Sequence, residues 1–213
     1  AAGLALGKDW PWPLAAVAGV VVGVLLGAAS ERLIIRRFQS SPRLVLTVAT
    51  IGLAQVFGGI ALFMPSWLGV DAIITGFDTP LTDTELRIES STFNGNDILL
   101  VAVVPAVLIA LLWFLQRSDA GTAVRGMAEN MDRARLVGIP VNELSLLLWS
   151  IMGGLAALTV VLRAPNEGLT LDAAVGPTIL LPGLAAAVLS GMSSLPAAFA
   201  AGVGVGVVKQ LVD

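Results

Sequence analysis

The residues best equipped for chemistry lie in one polar stretch, Gln116 to Pro140 (QRSDAGTAVRGMAENMDRARLVGIP), set between two long apolar runs. Its arginines, Arg125, Arg133 and Arg135, cannot remain in hydrocarbon. The stretch must therefore lie on a membrane surface or in a partner. Its spacing is helical. Asp119 or Thr122 can cap the start, Ala123, Met127, Ala134 and Leu136 form a partly apolar side, and Gly138 with Pro140 stops it. Small residues let such a helix sit tightly in a groove, and polar residues on its other face can carry force through hydrogen bonds and charge pairs. The plainer reading is an ordinary positively charged loop between two spans.

Other chemistry is sparse. The chain has no Cys and no His, which excludes thiol chemistry, disulfides, His-based catalysis and the commonest transition-metal ligands. No G-x-x-x-x-G-K-[ST] run and no H-E-x-x-H is present. Asp71, Asp78 and Asp83 lack the Gly and Glu of a calcium loop and read as a solvated acidic face. No catalytic residue, metal site or cofactor is expected, and no basic, aromatic-interleaved patch points to nucleic acid. Thr47, Thr50, Gln55 and Ser150 fall in apolar spans. Such groups either mark a solute path or make interhelical hydrogen bonds worth about 0.6 kcal/mol each. Pro177, Pro182 and Gly183 interrupt an apolar run, as a broken helix at a transport site or as a simple kink. Gly58-Gly59, Gly153-Gly154 and Gly202, Gly204 and Gly206 permit close helix contact. Trp10, Trp12, Trp67, Trp113 and Trp149 suit interfacial anchoring.

The elements that carry these residues are membrane spans. Of 213 residues 56% are hydrophobic and only 13% charged, and the mean hydropathy is +0.90. A soluble domain carries about 25% charge. The fold class is all-α, a polytopic transmembrane helical bundle of about six spans with a short cytoplasmic coupling helix. The spans are Leu14 to Ala29, Leu44 to Met64, Ile98 to Leu115 (with Pro105 inside), Leu144 to Leu162, a broken or re-entrant Ala173 to Ser190, and Ala197 to Val212. Glu31 to Arg43 and the 116–142 segment are Arg-rich and belong inside; the acidic 65–97 loop belongs outside, with a β-like piece at Leu86 to Ile88 and a turn at Asn94-Gly95. The chain opens on Ala1 without the features of a signal peptide, and reads as a fragment or as a chain whose earlier part is not shown.

The run GTAVRGMAENMDRARLVGIPV closely resembles the cytoplasmic coupling segment of the branched-chain amino-acid permeases of ABC importers. It matches that family's pattern at Gly121, Ala123, Arg125, Ala128, Asn130, Ala134, Leu136, Gly138 and Ile139, with Gly126 where the family often has Ala. Glu31-Arg32-Leu33 with Arg36-Arg37 is similar to the Glu-Arg-x-x-x-Arg-Pro element, with Arg37 in place of Pro. Ala185 to Gly206 resembles the family's Gly- and Ala-rich segment, with Ser190, Ser193 and Ala197 replacing Gly. The family's N-terminal Asn-Phe-Ala-x-Gly element is not present.

The resemblance implies one permease domain over residues 1–213, multi-pass in the inner membrane of a bacterial or archaeal cell. It implies import of branched-chain amino acids or related small polar solutes such as amides or urea. Its partners would be two ABC ATPase subunits, a second permease copy or paralogue, an extracytoplasmic solute-binding protein and membrane lipid, with hydrolysis on the ATPases. ATPase coupling would fall on Gly121, Ala123, Arg125, Ala128, Asn130, Ala134, Leu136 and Gly138, with Arg125 and Asn130 making direct contacts. The solute pathway would use Thr47, Thr50, Gln55, Pro182 and Gly183. A sugar-type ABC permease and a non-transporting scaffold or channel are the alternatives.

Overall fold

The computed structural model describes residues 12–38, 41–68, 73–74, 85–88, 91–167, 169–170, 175–192 and 194–212. Trp10 and the loop acids Asp71, Asp78, Asp83 and Glu89 lie outside the described residues.

The architecture is the expected helical bundle. Helix α1 (Trp12–Ser30) continues through a π-helical turn, Glu31–Ile35, into a last turn, Arg36–Phe38. Then come α2 (Arg43–Leu68), α3 (Gly95–Arg117), two short helices α4 (Asp119–Glu129) and α5 (Met131–Leu136), and α6 (Val141–Glu167). Helices α7 (Val175–Leu189) and α8 (Leu195–Val212) close the chain. Among the described residues, four helical stretches are long and apolar enough to cross a membrane: Trp12–Phe38, Leu44–Phe63, Gly95–Arg117 and Val141–Pro165. The shorter apolar helices Ile179–Leu189 and Leu195–Leu211 bring the number of apolar elements to the expected six.

Four short strands join the ends. β2 (Glu85–Ile88) and β3 (Ser91–Asn94) form an antiparallel hairpin, with Leu86 opposite Phe93. The turn expected at Asn94-Gly95 is not there, because Gly95 already opens α3. β1 (Ile73–Ile74), which follows α2, pairs antiparallel with β4 (Leu169–Thr170), which follows α6. This pairing puts the far ends of α2 and α6 on one side. The Arg36 side chain donates to the Asn142 carbonyl at 3.2 Å, which puts the end of α1 beside the start of α6 on the other side. Both Arg-rich loops therefore share one end of the bundle and the β1–β4 pair sits at the opposite end, as alternation of spans requires.

The tightest packing lies between α1 and α6, and missing side chains make it possible. A Cβ on Gly23 would come within 2.5 Å of the Gly153 carbonyl and of Ala157. One on Gly27 would overlap the Trp149 carbonyl, and one on Gly153 the Gly23 carbonyl. Two backbones thus touch along a Gly-x-x-x-Gly stripe, as membrane helices without a hydrophobic drive between them tend to do. Trp149, expected as an interfacial anchor, lies two turns inside α6 and offers its carbonyl to this seam.

Helices α7 and α8 form a hairpin, with buried Ala186 of α7 facing Gly202 of α8. Of the two readings of this segment, a broken helix or a simple kink, the break does not occur. The helix runs unbroken from Val175 to Leu189 with Pro182 inside it. It ends in a Schellman turn in which the Gly191 amide (φ 65°) donates to Val188 and the Met192 amide to Ala187. Ser194 then caps α8, which begins at Leu195, two residues earlier than read from hydropathy.

A coupling elbow at the Arg-rich end

The 116–142 segment folds as an elbow of two helices where one was expected. Helix α3 ends at Arg117, and Ser118 turns the chain with extended backbone (φ −90°, ψ 149°). Its hydroxyl donates to the Phe114 carbonyl at 2.6 Å and accepts from the Gly121 amide at 2.9 Å. Ser118 is therefore the cap that was assigned to Asp119 or Thr122. Asp119 instead sits in the first turn, where the helix dipole favours a carboxylate. The turn is so tight that a Cβ on Gly121 would strike the Phe114 carbonyl and Leu115.

Asn130 makes the break. Its backbone is extended (φ −159°, ψ 107°), its amide ends α4 on Gly126, and its side chain starts α5 by accepting from the Arg133 amide at 3.0 Å. A short amide side chain that can bond its own backbone competes with helix continuation. Helix α5 then ends in a Schellman turn like that of α7. The amide of Gly138 (φ 84°) donates to Arg135 and that of Ile139 to Ala134. Pro140 follows, its carbonyl accepts from Glu143 and Leu144, and α6 begins.

These turns sort the predicted coupling residues into two groups. Gly121 and Ala134 are buried, the latter only 3% exposed, and Ala123 is half-buried. Gly138 is spent on the positive φ of the stop. Arg125, Ala128, Asn130 and Leu136 face outward, with Leu136 88% exposed. The Arg125 guanidinium lies 3.4 Å from the Thr122 hydroxyl. Met131 and Val137 were not singled out from the sequence. Both are exposed, Val137 at 80%, and with Leu136 they make an apolar patch flanked by arginines. Such a patch outside a bundle suits a protein partner.

The predicted pathway residues are not brought together. Thr47 and Gln55 are exposed on α2, and the half-buried Thr50 spends its hydroxyl on the Thr47 carbonyl at 2.8 Å. Pro182 and Gly183 are exposed on α7. A cavity of about 260 Å³ lies elsewhere, between Leu100, Val103, Val104 and Val107 of α3 and Leu155, Leu158 and Leu162 of α6, with Thr159 and Arg163 as its polar members.

Composition did not reveal Glu31. In the sequence it is one acid among arginines; in the fold its side chain is wholly buried. Its Oε1 lies 3.4 Å from Arg36 Nε, and its Oε2 has no hydrogen-bond partner among the described residues. The Glu-Arg-x-x-x-Arg spacing was the signal that could have found it.

A family model described as branched-chain amino acid transport system / permease component matches residues 4–213. The chain belongs to this family. It is thus a multi-pass membrane protein of this permease family. The permease is 28% identical over 192 residues to the high-affinity branched-chain amino acid transport system permease protein BraD of Pseudomonas aeruginosa, covering 90% of this chain and 62% of BraD. It is 26% identical over 220 residues to LivH of Salmonella typhimurium, covering 99% and 69%. It is also 28% identical over 195 residues to the autoinducer 2 import system permease protein LsrC of an Enterobacter species, covering 92% and 52%. No solved structure matches the chain.

Proposed function

We propose that this permease is the membrane-spanning subunit of an ABC importer for branched-chain amino acids or related small polar solutes. Its Arg-rich end faces the cytoplasm, following the positive-inside rule. There the α4–α5 elbow offers Arg125, Ala128, Asn130 and Leu136 to an ATPase subunit. Two ATPases serve two permease copies or paralogues. A solute-binding protein docks at the opposite end, on the acidic 65–97 loop. Closure of the ATPase dimer pushes the elbow, and the push enters the bundle through α6, which the elbow's Schellman turn joins directly. The solute passes between the two permeases, along the faces that carry Thr47, Thr50, Gln55, Pro182 and Gly183. Thr47, Gln55, Pro182 and Gly183 are exposed in the single chain, which supports their meeting a second subunit.

The observation that carries this reading is the elbow itself: a capped, outward-facing polar and apolar patch wired into the first turn of α6, in a chain of this family. The equal identity to LsrC keeps a second reading open, a solute other than an amino acid. Co-purification from membranes of the native host tests the reading. A tagged permease is expected to bring down ATPase subunits and a binding protein, and the ligands of that binding protein name the solute. Arg125→Glu is expected to lose the ATPases while the permease stays monodisperse. Full ATPase recovery and uptake in that variant would exclude the coupling role, and a wild-type permease recovered alone would favour the scaffold or channel.

A further inference from the structure

Arg36 joins the end of α1 to the start of α6 by a side-chain hydrogen bond. Its Nε meets Glu31 Oε1 at 3.4 Å and its Nη2 donates to the Asn142 carbonyl at 3.2 Å. These two nitrogens form one edge of the guanidinium, the edge that can hold both oxygens of a carboxylate at once. Here that edge is divided. The contact to Glu31 is long for a charge-assisted bond, and Glu31 Oε2, fully buried, is left without a partner among the described residues. An unmet buried oxygen is costly and calls for an explanation. The backbone at Glu31–Ile35 is a π-helical turn, a local under-winding common at functional sites.

From this geometry we propose that Arg36 is a two-position latch. In the arrangement seen, it bridges α1 to the first turn of α6 through the Asn142 carbonyl. In the other position its Nη2 leaves Asn142 and takes Glu31 Oε2, closing a bidentate pair within α1 and freeing the root of α6. Glu31 is the buried anchor that keeps Arg36 within reach of both seats. Arg36 and Glu31 are positioning residues: they touch no solute, and they decide whether movement at the elbow reaches α1 along with α6. The proposal rests on the transport reading only for what moves the latch. The latch is a property of this chain's own residues.

The absence of native Cys makes the test direct. Nitroxide labels are attached at Leu33→Cys and Val137→Cys, both exposed, and their separation is measured by pulsed electron resonance in the purified full-length permease. The native pair is expected to give one narrow distribution. Arg36→Lys keeps the charge but loses the two-nitrogen edge, and is expected to broaden or displace the distribution by more than its native width. Arg36→Gln is expected to do the same, and Glu31→Gln to do so less. An unchanged distribution in Arg36→Lys, with monodisperse elution, overturns the latch. Arg36→Lys is the deciding variant because it preserves a cation at a partly exposed site, so a folding failure of Arg36→Gln leaves the test intact. In the complex with its ATPases, nucleotide trapping is expected to shift the native distribution and to leave that of Arg36→Lys unmoved while ATPase recovery stays equal. An equal shift in both also overturns the latch. Failure of the native permease to recover ATPases strikes the transport reading alone.

Discussion

Two regions of this permease are anchored on α6, and they are held by opposite means. The seam with α1 is built from what is absent. Gly23, Gly27 and Gly153 let two backbones meet, so the contact is close and leaves no room for a side chain at these positions. The elbow is built from hydrogen bonds that close chain ends. Ser118, Asn130 and the Gly138 stop each satisfy one or two backbone groups, and the outer face of both helices is left open. At Gly23, Gly27 and Gly153 the seam leaves the two helices no room to come closer. The elbow is a chain of small, separable supports. Packed interfaces have discrete arrangements, whereas capped turns yield one bond at a time.

The largest effect is therefore expected in the seam. Gly27→Leu drives a side chain into the Trp149 carbonyl, and overpacking of a close contact costs about 1–3 kcal/mol or more. The expected outcome is loss of monodisperse permease on size exclusion. Gly58→Leu on α2 is the matched control, since nothing lies within 4 Å of the Cβ it would add. Equal behaviour of the two variants would end the distinction between seam and open face.

An intermediate effect is expected at the elbow. Ser118→Ala removes the acceptor of the Gly121 amide and is expected to lower stability by about 1 kcal/mol. Hydrogen exchange should rise at Gly121 and Thr122 and stay unchanged along α1 and α6. Ser118→Asp, which can still cap, should restore protection. Faster exchange spreading into α6 would show that seam and elbow are one cooperative unit.

The contrast also marks where sequence patterns stop being informative. Hydropathy located the spans, and arginine placement found the shared end, because both follow from a solvent that rejects charge. The Gly138 stop was legible because a positive φ requires a residue type. The glycine pairs were not separable. Gly153-Gly154 meets α1, while Gly58-Gly59 meets nothing within 4 Å, and only the arrival of another helix decides which. The turn that holds Glu31 likewise meets α6, over a hundred residues away, where Arg36 reaches Asn142. Asn130 was marked as a contact residue, and its break went unseen because an Asn within a helical pattern has two local options of similar energy.

The smallest effect sharpens the comparison from the other side. Gly126 stands inside α4 where the family pattern often has Ala. A Cβ there would meet only the Cδ1 of Ile139, at 3.6 Å, an ordinary van der Waals distance. Gly126→Ala loses nothing in the fold and restricts the unfolded chain, so it is expected to add about 0.4–1 kcal/mol. The added methyl also reaches toward the residue just past the Schellman turn, and so ties α4 to the exit of the elbow. A small rise in melting temperature with unchanged ATPase recovery is the expected result. A fall would mean that the elbow closes more tightly on Ile139 than this arrangement shows. In that case the same glycine logic that rules the seam would extend into the elbow.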